Sequence, residues 1–248
     1  MSTAIITGAS SGLGRAYVDA VLKIFPEIDE LWLIARRADR LAEIADTYPK
    51  KKVVPIPMDM ADMTNYQMLQ KKLEAEKPEI KLLINDAGVS SGGHFEEQNL
   101  EKMLGMIDLN VKGATAITRV CLPYILNGGT ILEVSSTSAF VPNVNLVVYC
   151  ATKAYVSAMC TGLREELKSR NINVCAMCPG LMLTEMPGKL TVQQQKLPKV
   201  DVKKAAVRSL KAAKKGRSVY TTGAFYKGYR LLAKLMPANL MVKFAGLG

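Results

Sequence analysis

Histidine and tryptophan occur once each in 248 residues, and acids almost vanish from the C-terminal part. No apolar run reaches the ~18 residues that a membrane-spanning helix requires. A first strand beginning by Thr3 leaves no room for a cleavable leader, so a cytoplasmic protein is expected. Cysteine is limited to Cys121, Cys150, Cys160, Cys175 and Cys178. With one histidine and no second closely spaced cysteine pair, a zinc site lacks its ligands. Cys175 and Cys178 stand on a strand-like stretch, where residues three apart point to opposite faces, so buried thiols are expected. His94 reads as an exposed loop residue. Repeats, low-complexity tracts and linkers are also missing, which leaves one domain over 1–248.

What charge there is, is unevenly placed. From Lys189 onward there are fourteen Lys or Arg and one acid, Asp201; the remainder has nineteen basic and twenty-one acidic residues. A basic tail is either a solvated face or an attractor of anions: a cofactor phosphate, a charged substrate, an acidic carrier or a membrane surface. No nucleic-acid module accompanies it, so nucleic acid is not an expected partner. The segment 223–248 mixes apolar and basic residues, as in Phe225 to Met236 and Leu240 to Phe244. Packing within the chain, cover for a substrate pocket, a subunit interface and contact with anionic lipid are its four readings.

Short apolar, β-branched stretches alternate with helical ones, which predicts a Rossmann-like α/β fold: a doubly wound parallel sheet of about seven strands with helices on both faces. Strands are expected at Thr3–Thr7, Leu31–Ile34, Lys52–Pro57, Lys81–Ile84, Thr130–Val134, Ile172–Met177 and Ser218–Thr221. The prolines of Lys52–Pro57 weaken that strand. Helices are expected at Arg15–Ile24, Ala38–Tyr48, Met63–Glu76, within Asn99–Leu126, at Val148–Arg170 and at Asp201–Lys214. The aperiodic stretch 181–200 follows a strand end, the place for a substrate lid.

Two local patterns carry chemistry. The turn Gly8-Ala9-Ser10-Ser11-Gly12-Leu13-Gly14 follows a strand and opens a helix. Glycines there let the backbone approach a pyrophosphate at a helix N-terminus, where free N–H groups attract anions. Tyr149 and Lys153 stand four apart on one helix face, with Ser136 upstream. A neighbouring ammonium is expected to lower the tyrosine pKa, and a serine hydroxyl to bond a carbonyl oxygen.

With these residues in hand, the chain resembles the short-chain dehydrogenase/reductase family over nearly its whole length. Thr7 to Gly14 matches the family's glycine motif, Leu109-Asn110-Val111 its Asn segment, Val134-Ser135-Ser136 its Ser, Tyr149 and Lys153 its Tyr-x-x-x-Lys, and Pro179-Gly180 with Thr184 its later turn. Its Asn-Asn-Ala-Gly is altered to Asn85-Asp86-Ala87-Gly88. The resemblance implies catalytic Asn110, Ser136, Tyr149 and Lys153, with Asn110 holding a water. It implies a cofactor site of Gly8, Ser10, Ser11, Gly12, Leu13, Gly14, Asp59, Met60, Asn85, Ala87, Gly88, Tyr149, Lys153, Pro179, Gly180 and Thr184. After the second strand, Ala35 replaces an acid and Arg36 and Arg37 follow, which points to NADP(H), with Arg36 preferred over Arg37 for the 2′-phosphate. Ser136, Val141, Met182 and Met186 are the expected substrate contacts, facing an apolar alcohol or carbonyl compound such as a hydroxysteroid. A 3-oxoacyl thioester, a small carbonyl, or a silent NADP-binding regulator are the alternatives; the complete catalytic quartet argues against the last. No metal is implied, and a homodimer or homotetramer is.

Overall fold

A computed structural model describes residues 1–185 and 196–246. Seven strands form one parallel sheet: β1 (Ser2–Thr7), β2 (Glu30–Ala35), β3 (Lys52–Pro57), β4 (Glu79–Asn85), β5 (Ile125–Val134), β6 (Asn173–Cys178) and β7 (Val219–Thr221). Their order is β3-β2-β1-β4-β5-β6-β7. Parallel crossovers cover both faces of such a sheet, so its central strands are apolar throughout. β2, Glu-Leu-Trp-Leu-Ile-Ala, is buried at every position. β3 keeps its strand character despite Pro55 and Pro57 because it lies at the sheet edge, where missing N–H donors face no further strand.

Alternate side chains feed two cores. Ala4 and Ile6 of β1 join the core under α1 (Gly12–Ile24), α2 (Ala38–Thr47) and α7 (Val202–Lys214). Ile5 joins the opposite core under α3 (Asn65–Glu76), α5 (Ala114–Cys121) and α6 (Val147–Glu166). Cys175 and Cys178 divide the same way, one to each core, and all five cysteines are buried and free.

The helix expected within Asn99–Leu126 is interrupted. α4 (Leu100–Ile107) widens into a π-helical turn, Asp108–Gly113, before α5 resumes. The turn is held by Tyr66, whose hydroxyl bonds the carbonyls of Met60 and Gly113 at 3.1 and 3.0 Å. A Cβ at Gly113 would stand 2.8 Å from the Met60 carbonyl, so only glycine permits this approach. Beyond β7, the tail forms α8 (Ala224–Leu235) and α9 (Ala238–Gly246).

The strand order reverses between β1 and β4, so a crevice opens at the carboxyl ends of the strands around that switch point. The thiols give a first test of the burial pattern. Burial raises the Cys175 thiol to about 12 and Cys178 to about 11, which suppresses thiolate. Ellman titration of the native protein is expected to label essentially none of the cysteines, and all five after denaturation. Rapid labelling of the native fold contradicts the described packing.

Candidate active site

The glycine turn leaves β1 and enters α1 under tight steric limits. Gly8 and Gly12 have φ of 68° and 55°, the left-handed region. A Cβ at Gly14 would lie 2.2 Å from the Gly8 carbonyl oxygen. The N-terminus of α1 carries no acid in its first turn, and Ser11 makes no side-chain cap bond. A backbone that excludes Cβ atoms, ending on an uncapped helix N-terminus, fits an anionic pyrophosphate. Leu13 is buried in the core, so only its backbone faces this turn.

Arg37, rather than Arg36, reaches the turn. Its Nε and Nη2 donate to Ser10 Oγ at 3.2 and 3.1 Å, whereas Arg36 is exposed. Arg37 sits just before α2, and that helix start orients its guanidinium back over the loop. Arg40, three residues on, shares the same face; both arginines pair with Glu185, at 3.0 and 2.7 Å. The i, i+3 spacing after Arg37 was the available signal for Arg40, which sequence reasoning missed.

Thr7 and Asn85 tie β1 to β4. Thr7 Oγ1 donates to Asn85 Oδ1 at 3.0 Å and accepts the N–H groups of Asp86 and Ala87, each at 3.0 Å. Asn85 Nδ2 donates to Ala114 O and Thr118 Oγ1 at 3.2 Å and to Glu133 Oε1 at 3.3 Å. The Asn85 side chain is therefore committed inside the fold, and only its backbone is left for the crevice. At Gly88, a Cβ would come within 3.1 Å of Asn110 Oδ1 and 3.3 Å of Lys153 Nζ.

Asn110 lies in the π turn and is 1% exposed. Its Oδ1 accepts from Val89 N and its Nδ2 donates to Val89 O, both at 2.9 Å. It also donates to Thr152 Oγ1 at 3.1 Å, linking the loop after β4 to α6. With both ends of the amide so engaged, the Asn110 side chain is committed to the fold.

Ser136, Tyr149 and Lys153 converge at the ends of β5 and α6. Lys153 Nζ donates to Val134 O at 2.9 Å and sits 5.9 Å from the Tyr149 ring centroid. Ser136 hydrogen-bonds the Tyr149 hydroxyl. The expectation that Lys153 lowers the tyrosine pKa is not met here. Burial raises Tyr149, the Ser136 bond opposes that rise, and nearby Asp86 adds to it. The ammonium itself is buried and lowered, with Asp86 and Glu133 countering the desolvation. Burial lifts both carboxyls to about 7. Glu133, unnoticed in the sequence, accepts from Thr118 at 2.7 Å beneath this cluster.

The turn after β6 is held from the tail. Gly180 N donates to Thr222 Oγ1 at 2.8 Å, and Leu181 N to Tyr226 Oη at 3.0 Å. Tyr226 in turn donates to Pro198 O at 2.7 Å, and its ring fills the space a Gly180 Cβ would need. Thr137 N donates to Pro179 O, joining this turn to the Ser136 loop. Tyr226, like Arg40 and Glu133, was not disclosed by the sequence, because it lies on a distant helix. Thr184 packs against Gly12, its Cβ 3.3 Å from the place of a Gly12 Cβ. Val141 is buried, with little surface for a substrate, while Met182 is half-buried against the α1-side core. Met186 and the central part of the expected lid, 186–195, lie outside the described residues. Asp59 Oδ1 accepts from Ala61 N at 3.0 Å, and Met60 is buried.

A family model described as short chain dehydrogenase matches residues 2–195. An NADP-dependent 3-hydroxy acid dehydrogenase from Schizosaccharomyces pombe is 34% identical over 189 residues, 74% of this chain and 72% of that protein. A short-chain dehydrogenase from Sphingobium yanoikuyae, solved in complex with NADPH, shares 26% identity at a TM-score of 0.77, covering 97% of this chain and 95% of that one. A bulky-bulky ketone specific alcohol dehydrogenase from Comamonas testosteroni shares 25% at 0.76, covering 97% and 94%.

Glu133 offers a pH test. Its folded pKa of about 7 exceeds the ordinary ~4.3, so the folded state retains a proton that the unfolded chain releases. That contribution to stability is lost as pH rises through the interval. Glu133→Gln keeps an oxygen for Thr118 and Asn85. Thermal denaturation is expected to show a gain that grows from pH 5 to pH 8, reaching up to ~3 kcal/mol near pH 8 at about 1.4 kcal/mol per pKa unit. A loss near pH 8 contradicts the assignment.

Proposed function

The chain belongs to the short-chain dehydrogenase family, oxidoreductases acting on CH–OH groups, and from that premise we propose that it is an NADP(H)-dependent enzyme interconverting a secondary alcohol and a ketone. The observation that carries the reading is the meeting of Ser136, Tyr149, Lys153 and Asn110 at the mouth of one crevice, beside a turn that excludes side chains. The cofactor, when bound, supplies or accepts the hydride. Gly8 to Gly14 and the start of α1 would hold its pyrophosphate, and Ser10, Arg37 and Arg40 its 2′-phosphate. Lys153 would bind the nicotinamide ribose; Pro179, Gly180 and Thr184 would hold the nicotinamide end.

Tyr149 Oη holds the proton delivered to the substrate oxygen during reduction. Burial and Asp86 oppose ionisation of this phenol, and the Ser136 hydrogen bond counters them. In the reverse direction the same oxygen takes the alcohol proton, and the Ser136 hydrogen bond favours the phenolate. Ser136 orients the substrate oxygen. Lys153 is held by the Val134 carbonyl, while Asp86 and Glu133 favour its charged form. Asn110 fixes the loop at Val89 against α6.

A substrate bearing a carboxylate is supported by the Schizosaccharomyces pombe relative's 3-hydroxy acid activity. Arg230 on α8 adds a cation beside the segment after Ser136, its guanidinium 5.8 Å from the Phe140 ring centroid. A panel of 3-oxo acids, their esters, bulky ketones and ketosteroids, followed by NADPH oxidation, separates this from a lipid-like substrate. Preference for the esters or steroids over the free acids overturns the carboxylate assignment.

Two variants test the chemistry and the cofactor. Tyr149→Phe is expected to lower kcat about 10²–10⁴-fold while NADPH binding persists; near-normal turnover contradicts the proton role. Arg37→Ala is expected to raise KM for NADPH about tenfold or more, from loss of a charge-assisted contact, with little effect on NADH. Glu185→Ala, which frees both arginines of a competing carboxylate, is expected to lower KM for NADPH. Equal changes with both cofactors contradict the 2′-phosphate assignment.

A further inference from the structure

α8 presents its apolar face to solvent. Tyr226 is buried against Gly180, and Tyr229, Arg230 and Ala233 are half-buried on the same inner side. Phe225, Leu231, Leu232 and Leu235 are exposed on the outer side, Leu235 at 75%. Helical spacing sets these four on one stripe, because 225, 232 and 235 fall within a quarter-turn and 231 stacks one turn before 235. Lys227 and Lys234, both exposed and seven residues apart, line one edge of that stripe. α9 continues the surface, with Met241 buried as its anchor and Leu240 and Lys243 exposed. From Val202 to the C-terminus there is no Asp or Glu.

We infer that this face of α8 and α9 docks the protein on an anionic lipid surface. An outward apolar stripe bordered by lysines suits a helix lying in the interface plane, apolar side in the acyl boundary and ammonium groups among phosphates. α8 has twelve residues, and among the described residues no helix is long and apolar enough to cross a membrane, so the contact is peripheral. A second copy of the chain is a poorer occupant. A two-fold interface sets the same patch against itself, which brings lysines to lysines with no acid from this segment to pair them. The stripe also points away from the crevice, whose side of α8 is taken by Tyr226 and Arg230, so substrate does not account for it.

The test is co-sedimentation of the full chain with phosphatidylcholine vesicles, with and without phosphatidylglycerol. Binding is expected only with phosphatidylglycerol. Leu231→Gln with Leu235→Gln, and separately Lys227→Gln with Lys234→Gln, are each expected to weaken it about tenfold or more. NADPH binding and melting temperature, the controls for folding, should remain those of the parent. Equal or absent sedimentation with the two vesicle types overturns the inference. So does loss with the lysine pair alone, which would reduce the contact to plain charge attraction. A dimer mass that collapses in the leucine variant assigns the face to a second copy instead.

Discussion

A hydroxyl and an amide buried at the sheet's switch point hold the site together. Thr7 donates to Asn85 and receives the Asp86 and Ala87 N–H groups, so the ends of β1 and β4 are fixed to one another. Asn85 then reaches across to α5 and to Glu133 on β5. These are buried polar groups, and leaving one unpaired costs ~1–3 kcal/mol, so the network tolerates few alternatives. The glycine turn, the Gly88 opening and the floor beneath Lys153 all hang from it. The departure at Asp86 fits this picture. Its backbone N–H serves Thr7, while its carboxyl faces Gly14 and Lys153, trading an amide's donor for a titratable group beside the Lys153 ammonium.

That trade shapes the electrostatics. Burial opposes charge on Tyr149, Lys153, Asp86 and Glu133 alike, and they offset one another only in part. The tyrosine is consequently shifted upward by burial, with the Ser136 hydrogen bond the contact that lowers it, rather than downward by the lysine as the spacing alone implied. An i, i+4 pair states proximity. It does not state which way the ammonium points, and here Lys153 is turned toward the Val134 carbonyl.

Local motifs were legible because their physics is local. The glycine turn, the Tyr149–Lys153 spacing, the opposite-facing Cys175 and Cys178, and the parallel sheet all follow from period and composition. What could not be read depended on distant neighbours. The prolines of β3 are tolerated because the strand is an edge, and sheet order is a tertiary fact. Arg37 displaces Arg36 as the arginine at the turn through a rotation of one position at a helix start. Tyr226 seals Gly180 from a helix that the tail's composition marked only as mixed apolar and basic, with four readings left open. Glu133 reads as an ordinary charged residue until the fold buries it.

The central claim is hydride transfer to a carbonyl positioned by Ser136 and Tyr149. Its most direct test is isotopic: NADPH carrying deuterium at the transferring C4 position, incubated with the protein and a ketone panel, with the alcohol products read by mass spectrometry. The account predicts an alcohol with one deuterium on its carbinol carbon. Tight NADPH binding with no deuterium delivered to any carbonyl in the panel would contradict it.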